Sequence, residues 1–288
     1  MKPFVIYTAN VGNYDTPRQP LAISEQFDYI LFSNQEETTQ EGIWQVKPIP
    51  YTHPDPTRVA RWVKTHPEEL LSDYQASVWM DCRIRIVSPD FYQRILQLYA
   101  ADCPIASLVH PERDCAYDEL LEVMQLQLEE EDVCLRWGQL LTQNDYPSHH
   151  GLSETGILYR KHTAEIVQKF DTDWWQSIAD YSRRDQLSFD YTLWKLHLHH
   201  EAVCQENVRE CPWFDVASHS MHTKREVASS AHSSLLTFAL RYPYKQQEIA
   251  RAYQSVYRKR HPKAWANAYG LGLLALQQLR TIKKRLLS

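Results

Sequence analysis

Hydrophobic and polar positions in this chain run in short blocks whose period keeps changing. Phe4–Thr8 and Phe27–Phe32 are compact apolar runs rich in β-branched and aromatic residues, and Trp44–Val46 is a shorter one; all three read as strands. Thr57–Lys64 carries its apolar residues at helical spacing behind Pro56, which suits a first helical turn. Ser77–Met80 is a fourth apolar run. It ends in one carboxylate, Asp81, and period-two alternation follows at once through Arg83, Ile84, Arg85 and Ile86. Further along, Pro89–Ala100 predicts a helix, Ile105–Val109 a strand and Arg113–Leu141 a mostly helical stretch. Gly156–Tyr159 predicts a strand, and Thr163–Phe170 and Asp185–Leu196 two helices. Strands alternating with helices predict the α/β class with a mostly parallel sheet. A Ser/Ala/His-rich stretch at Ser229–Ser234 divides a body, residues 1–228, from a helical segment at 235–288.

Composition adds little until charge is followed along the chain. A chain of 288 residues, 43% hydrophobic and 23% charged, can bury a proper core. The net charge of −5 hides an asymmetry: from Arg241 onward the residues are strongly basic, with Glu248 the one acid, while the body before them is acidic. An acidic body argues against nucleic acid as a partner. The basic segment suits either peripheral contact with an anionic lipid surface or packing on that body. No apolar run reaches the roughly 18 residues of a membrane span, and the first is too short for a signal peptide. The six cysteines form no C-x-x-C pair. A cytoplasmic protein with free buried thiols is therefore expected, reaching at most the inner membrane surface.

Candidate chemistry gathers at a few places. A strand that delivers Asp81 to its own carboxyl end is a common way to build an α/β site, where ligands lie beyond the strand ends. Such an acid can hold Mg²⁺ or Mn²⁺ on a diphosphate, or merely cap a turn. The segment Thr8, Ala9, Asn10 to Tyr14 and Asp15 reads as a loop for a nucleotide, Tyr14 stacking on a base and Asp15 accepting from base or ribose; it reads equally as an Asn/Gly/Asp turn. Arg58, Arg61 and Lys64 share a helix face and suit a diphosphate or a solvated basic surface. Glu154 precedes a strand. Asp185 stands where a helix cap belongs, with Arg183 and Arg184 to keep it ionised. His197, His199 and His200 read as ordinary residues of a helix end. No G-x-G-x-x-G, G-x-S-x-G or H-E-x-x-H occurs, which removes dinucleotide binding and the common hydrolase motifs.

W-x-D at Trp79–Asp81, R-x-x-R-x-x-K-x-H-P at Arg58–Pro67, H-P-x-R at His110–Arg113, G-L-x-E-x-G at Gly151–Gly156 and R-D-Q-L-S-F at Arg184–Phe189 form an ordered set. In that order they resemble the glycosyltransferase-like proteins of bacterial polysaccharide loci and of plants, where members are tied to cell-wall mucilage. More distantly the chain is similar to glycogenin-type transferases of GT-A fold. The resemblance covers residues 3–225 and implies a nucleotide-sugar donor such as a UDP-sugar, a divalent metal, and a glycan or lipid-linked acceptor. It implies Asp81 with His219 and His222 as metal ligands, and Lys224 on the diphosphate. It implies Glu154 and Asp185 as catalytic groups, and His110, Arg113 and Gln186 on the acceptor side. One departure stands out: GT-A transferases usually carry D-x-D, and here Arg83 takes the place of the second acid. A second ligand must then come from elsewhere, or Arg83 must replace part of the metal's charge. The alternative is a nucleotide-sugar or carbohydrate-binding protein that has lost catalysis.

Overall fold

The computed structural model describes residues 2–12, 14–35 and 38–217. His219, His222, Lys224 and the whole basic segment lie outside them. Two compact units share the described chain, one of residues 2–116 with 149–217 and one of residues 117–148.

The larger unit is built on β1 (Phe4–Asn10), β2 (Phe27–Ser33), β3 (Gln40–Glu41), β4 (Trp44–Pro48), β5 (Ala76–Met80), β6 (Ile84–Ile86), β7 (Ile105–Val109), β8 (Ser153–Lys161), β9 (Glu201–Ala202) and β10 (Phe214–Val216). Helices α1 (Pro56–Thr65), α2 (Pro67–Leu70), α3 (Asp90–Ala100), α6 (Glu165–Asp180) and α7 (Gln186–Lys195) belong to it. Helices α4 (Ala116–Gln125) and α5 (Glu131–Gln143) replace the single helical stretch expected over 113–141. Within the smaller unit, the Tyr117 hydroxyl donates to the Tyr146 carbonyl at 2.7 Å.

Eight strands form one sheet in the order β3-β4-β2-β1-β5-β8-β7-β9. β1, β2, β4 and β5 are parallel, whereas β8 runs antiparallel between β5 and β7. This is the mostly parallel α/β sheet flanked by helices that the sequence predicts. Both faces are buried, as parallel sheets require. Alternation in β1 shows how: Phe4 and Ile6 join a core with Phe91 and Ile95 of α3, while Val5 and Tyr7 join one with Trp62, Phe170, Trp174 and Phe189 of α1, α6 and α7.

Several elements exceed their expected bounds. β1 runs two residues past the expected Thr8 to Asn10, so Ala9 and Asn10 are strand rather than loop. β8 begins at Ser153, which takes Glu154 and Thr155 into the sheet. Helix α6 continues ten residues past Phe170 to Asp180, because Asp171, which looks like a polar interruption, turns inward to a buried ion pair with Arg160. Arg160 also reaches the Tyr7 hydroxyl, and it donates to the Lys64 carbonyl at 2.6 Å. Tyr7 donates to the same carbonyl at 2.9 Å. These bonds satisfy an orphan carbonyl in the last turn of α1 and fix the direction of Lys64. Cys204 and Cys211 form a disulfide, against the expectation of free thiols throughout; the other four cysteines are free and buried. No helix among the described residues is long and apolar enough to cross a membrane.

Candidate active site

The candidate residues converge where β1 and β5 end and β8 begins. Asp81 leaves β5, and its amide donates to the Gly156 carbonyl of β8 at 2.8 Å. Its Oδ1 accepts from Trp79 Nε1 at 2.9 Å, while among the described residues Oδ2 accepts no hydrogen bond. Gly156 faces that carboxylate closely: a Cβ built there would stand 3.5 Å from Asp81 Oδ2 and 3.3 Å from Ile84 Cδ1. After the turn, β6 pairs with β10, and Arg85 and Arg18 both bind Asp215.

Alternation along β8 divides the neighbourhood in two. Ser153 and Thr155 turn toward α7. Thr155 Oγ1 donates to Asp185 Oδ2 at 2.8 Å, Lys64 Nζ meets the same oxygen at 2.5 Å, and Arg61 Nε lies 2.9 Å from Asp185 Oδ1. Lys64 also donates to the Thr155 carbonyl at 2.6 Å, and its ammonium stands 5.5 Å and 5.6 Å from the rings of Trp79 and Trp174. Burial alone would raise the Asp185 pKa, yet the Arg61 and Lys64 charges hold it well below the carboxylate range. Burial pushes the Lys64 ammonium below its ordinary value, against the opposing pull of Asp185 and Asp81. Asp185 makes no side-chain cap bond to α7, and its cationic partners are Arg61 and Lys64 rather than Arg183 and Arg184. Arg183 pairs with Asp55 instead.

Glu154 points the other way, toward the Val208 amide, which donates to Oε2 at 3.4 Å. Burial raises its pKa and the Asp81 charge adds to that, while the Val208 amide, Arg83 and Arg209 oppose. Buried polar atoms with no hydrogen-bond partner among the described residues include Asn10 Oδ1 at the end of β1, Arg83 Nε in the turn after Asp81, and, in the Asp185 cluster, Gln186 Nε2 and Arg61 Nε, the last facing Asp185 as an ion pair only. Burial pushes the neighbouring Cys82 thiol up, Asp15 and Asp81 adding to it and the Thr8 hydroxyl opposing. Asp15 and Thr8 therefore belong to this edge. Ala9 is partly buried beside them, and Tyr14 is 46% exposed.

Other expected residues fall elsewhere. Arg58 leaves the cluster: it donates to the Ile178 and Ala179 carbonyls and, at 3.0 Å, to Tyr181, closing the end of α6. Carbonyls at a helix C-terminus attract a cation, and that attraction explains its direction. His110 follows β7, whose carboxyl end shares the Asp81 edge, and its Nδ1 accepts from the amides of Glu112 and Arg113. The Arg113 guanidinium pairs with Glu112. His200 is no bystander at a helix end, for its Nε2 lies 3.1 Å from Ser153 Oγ, which donates to Asp190 Oδ1 at 2.8 Å. Sequence reasoning missed Thr155, although it lies inside the G-L-x-E-x-G motif. It missed Val208 as well, for which the sequence carries no signal.

A divalent ion on a diphosphate needs one or two carboxylates and takes its remaining ligands from phosphate and water. Asp81, with one oxygen held by Trp79 and the other turned out, fits that need; no cluster of three metal-ligating side chains forms around it among the described residues.

Comparison with solved structures finds a likeness to a bifunctional glycosyltransferase, WbbM, in its apo form, at 10% identity and TM-score 0.41, covering 70% of this chain and 38% of that one. No curated protein matches. A family described as TOD1/MUCI70, glycosyltransferase-like domain, matches residues 1–222, so the chain belongs to the TOD1/MUCI70 glycosyltransferase-like family.

Proposed function

We propose that this chain transfers a sugar from a nucleotide-sugar donor, a UDP-sugar, to a glycan or lipid-linked acceptor. The observation that carries the reading is the open oxygen of Asp81 at the end of β5, with unpartnered buried polar atoms on Asn10 at the end of β1 and on Arg83 in the turn after Asp81. Buried polar groups are costly without partners, so a site that keeps several of them invites a polar ligand.

In this reading the nucleotide lies along Asn10–Asp15, and the diphosphate meets Arg83. A Mn²⁺ or Mg²⁺ ion held by Asp81, with His219 and His222 as further ligands, would offset charge on the leaving group. Lys224 would approach the same diphosphate. Lys64, bound to Asp185, contributes a fixed positive field rather than a direct contact. Glu154, which faces Asp81 and the Val208 amide, acts as base toward the acceptor hydroxyl, and burial holds its pKa above the ordinary carboxylate value. Asp185, both of whose oxygens are engaged, holds Lys64 in place. His110, Arg113 and Gln186 border the acceptor. The basic segment would bring a cytoplasmic enzyme to the anionic inner membrane surface, which sedimentation with anionic vesicles tests.

Thermal-shift measurement against a panel of nucleotide sugars, with and without Mn²⁺, is the decisive experiment. Selective stabilisation by one nucleotide supports a donor site, and none across the panel overturns it. Slow hydrolysis of the bound donor separates an enzyme from a binding protein without catalysis, a second reading favoured by Arg83 standing where an acid is usual.

A further inference from the structure

Between β9 and β10 the chain makes a tight loop that Cys204 and Cys211 close by their disulfide. Asn207 organises its interior, its Oδ1 accepting from the Arg209 amide at 3.0 Å and its carbonyl from the Cys211 amide at 2.9 Å. Val208 at the tip is buried at 1% exposure and carries the amide that meets Glu154. Arg209 beside it adds positive charge to that carboxylate's surroundings. A cavity of about 400 Å³ has Cys204 in its lining, with Arg94, Glu206 and Trp213.

We propose that the Cys204–Cys211 disulfide is a redox-controlled positioning element that holds Val208 and Arg209 against Glu154, and that its reduction slows turnover. The inference rests on the role given above to Glu154. A dithiol entering the cavity attacks Cys204 Sγ as a thiolate, forming a mixed disulfide and releasing Cys211 as its thiolate. The second thiol of the reductant then displaces Cys204, so the reductant becomes a disulfide and both cysteines end as thiols after taking up protons. The freed loop loses its closing bond, and an unfixed base loses part of its effect.

Full-length protein, oxidised or treated with dithiothreitol, is the sample, with Cys204→Ser/Cys211→Ser as the genetic equivalent. Alkylation under denaturing conditions should count four thiols before reduction, as the free cysteines require; six before reduction overturns the proposal. Reduction should lower kcat for donor hydrolysis about tenfold, a part of what a positioned base supplies, with donor KM unchanged. In a Glu154→Gln background the same treatment should change the residual kcat less than about twofold, because the two changes act through one group. An equal factor in both backgrounds means a merely structural bond and overturns the proposal. Should no donor be hydrolysed, the functional reading fails by itself. Amide exchange at Val208 then decides the loop, faster on reduction if the bond holds it and unchanged if it does not.

Discussion

The two faces of β8 make opposite use of polar groups. On one, Ser153 and Thr155 bind Asp190 and Asp185, and every oxygen of those two buried carboxylates has a partner. On the other, Glu154 and Gly156 look onto Asp81 and Arg83, where buried atoms lack partners and a carboxylate oxygen stands open. The first face carries more charge in less water, yet both oxygens of each of its carboxylates are engaged, although Arg61 Nε and Gln186 Nε2 beside them have no hydrogen-bond partner among the described residues. That engagement suits it to holding the sheet to α1 and α7. The difference teaches that residue type and burial alone do not distinguish these carboxylates; whether both oxygens are engaged does, and it separates Asp81 from Asp185 and Asp190.

The comparison breaks first at Asp185. Asp185→Asn should cost about 3–5 kcal/mol, since it strands Lys64 as a buried charge; urea melts measure it, and a loss near 1 kcal/mol would make it an ordinary cap. The sign of the pH effect follows from the same pair. The Asp185 pKa is depressed in the folded state, so its contribution is present above the unfolded value of about 3.9 and is lost as pH falls below it. Melts between neutral and acid pH should therefore converge for wild type and Asp185→Asn.

Asp81→Asn should leave stability nearly unchanged, because an amide oxygen still accepts from Trp79, but weaken metal-dependent binding of a nucleoside diphosphate at least about tenfold, or 1.4 kcal/mol. Calorimetry with Mn²⁺ checks it. Arg58→Ala tests the boundary of the site. It should cost about 1 kcal/mol of stability through the end of α6 and leave donor affinity alone. The smallest measurable effect on stability is expected at Glu154→Gln. Its folded pKa is raised, which penalises folding as pH climbs through that range, so removing the charge should raise the melting temperature at neutral pH by about 1–3 °C. Turnover should fall while donor affinity holds.

Much of this was legible in residue order. The alternation after Asp81 announces β6, and the apolar run before it announces β5, because period and length are local properties. Asp171 hid the length of α6, for a buried ion pair with Arg160 looks like a surface break until the partner is known. The face shared by Arg58, Arg61 and Lys64 was a helical fact, but its direction depended on α6 and α7, which claim Arg58 and Lys64 for different tasks. The pairing of Cys204 with Cys211 and the reach of Val208 are tertiary results that spacing does not encode.

The pairing of β6 with β10 has a consequence for biosynthesis. Arg18, in the segment between β1 and β2, grips Asp215 across 197 positions of sequence, and Arg85 grips the same carboxylate across 130. A ribosome must release almost the whole family domain before the turn that carries Asp81 gains its flanking strand. Contacts of such separation slow folding, because loop-closure entropy is lost before they form. The nascent chain thus acquires its sheet first and the strand pairing beside Asp81 last, once synthesis has passed Val216.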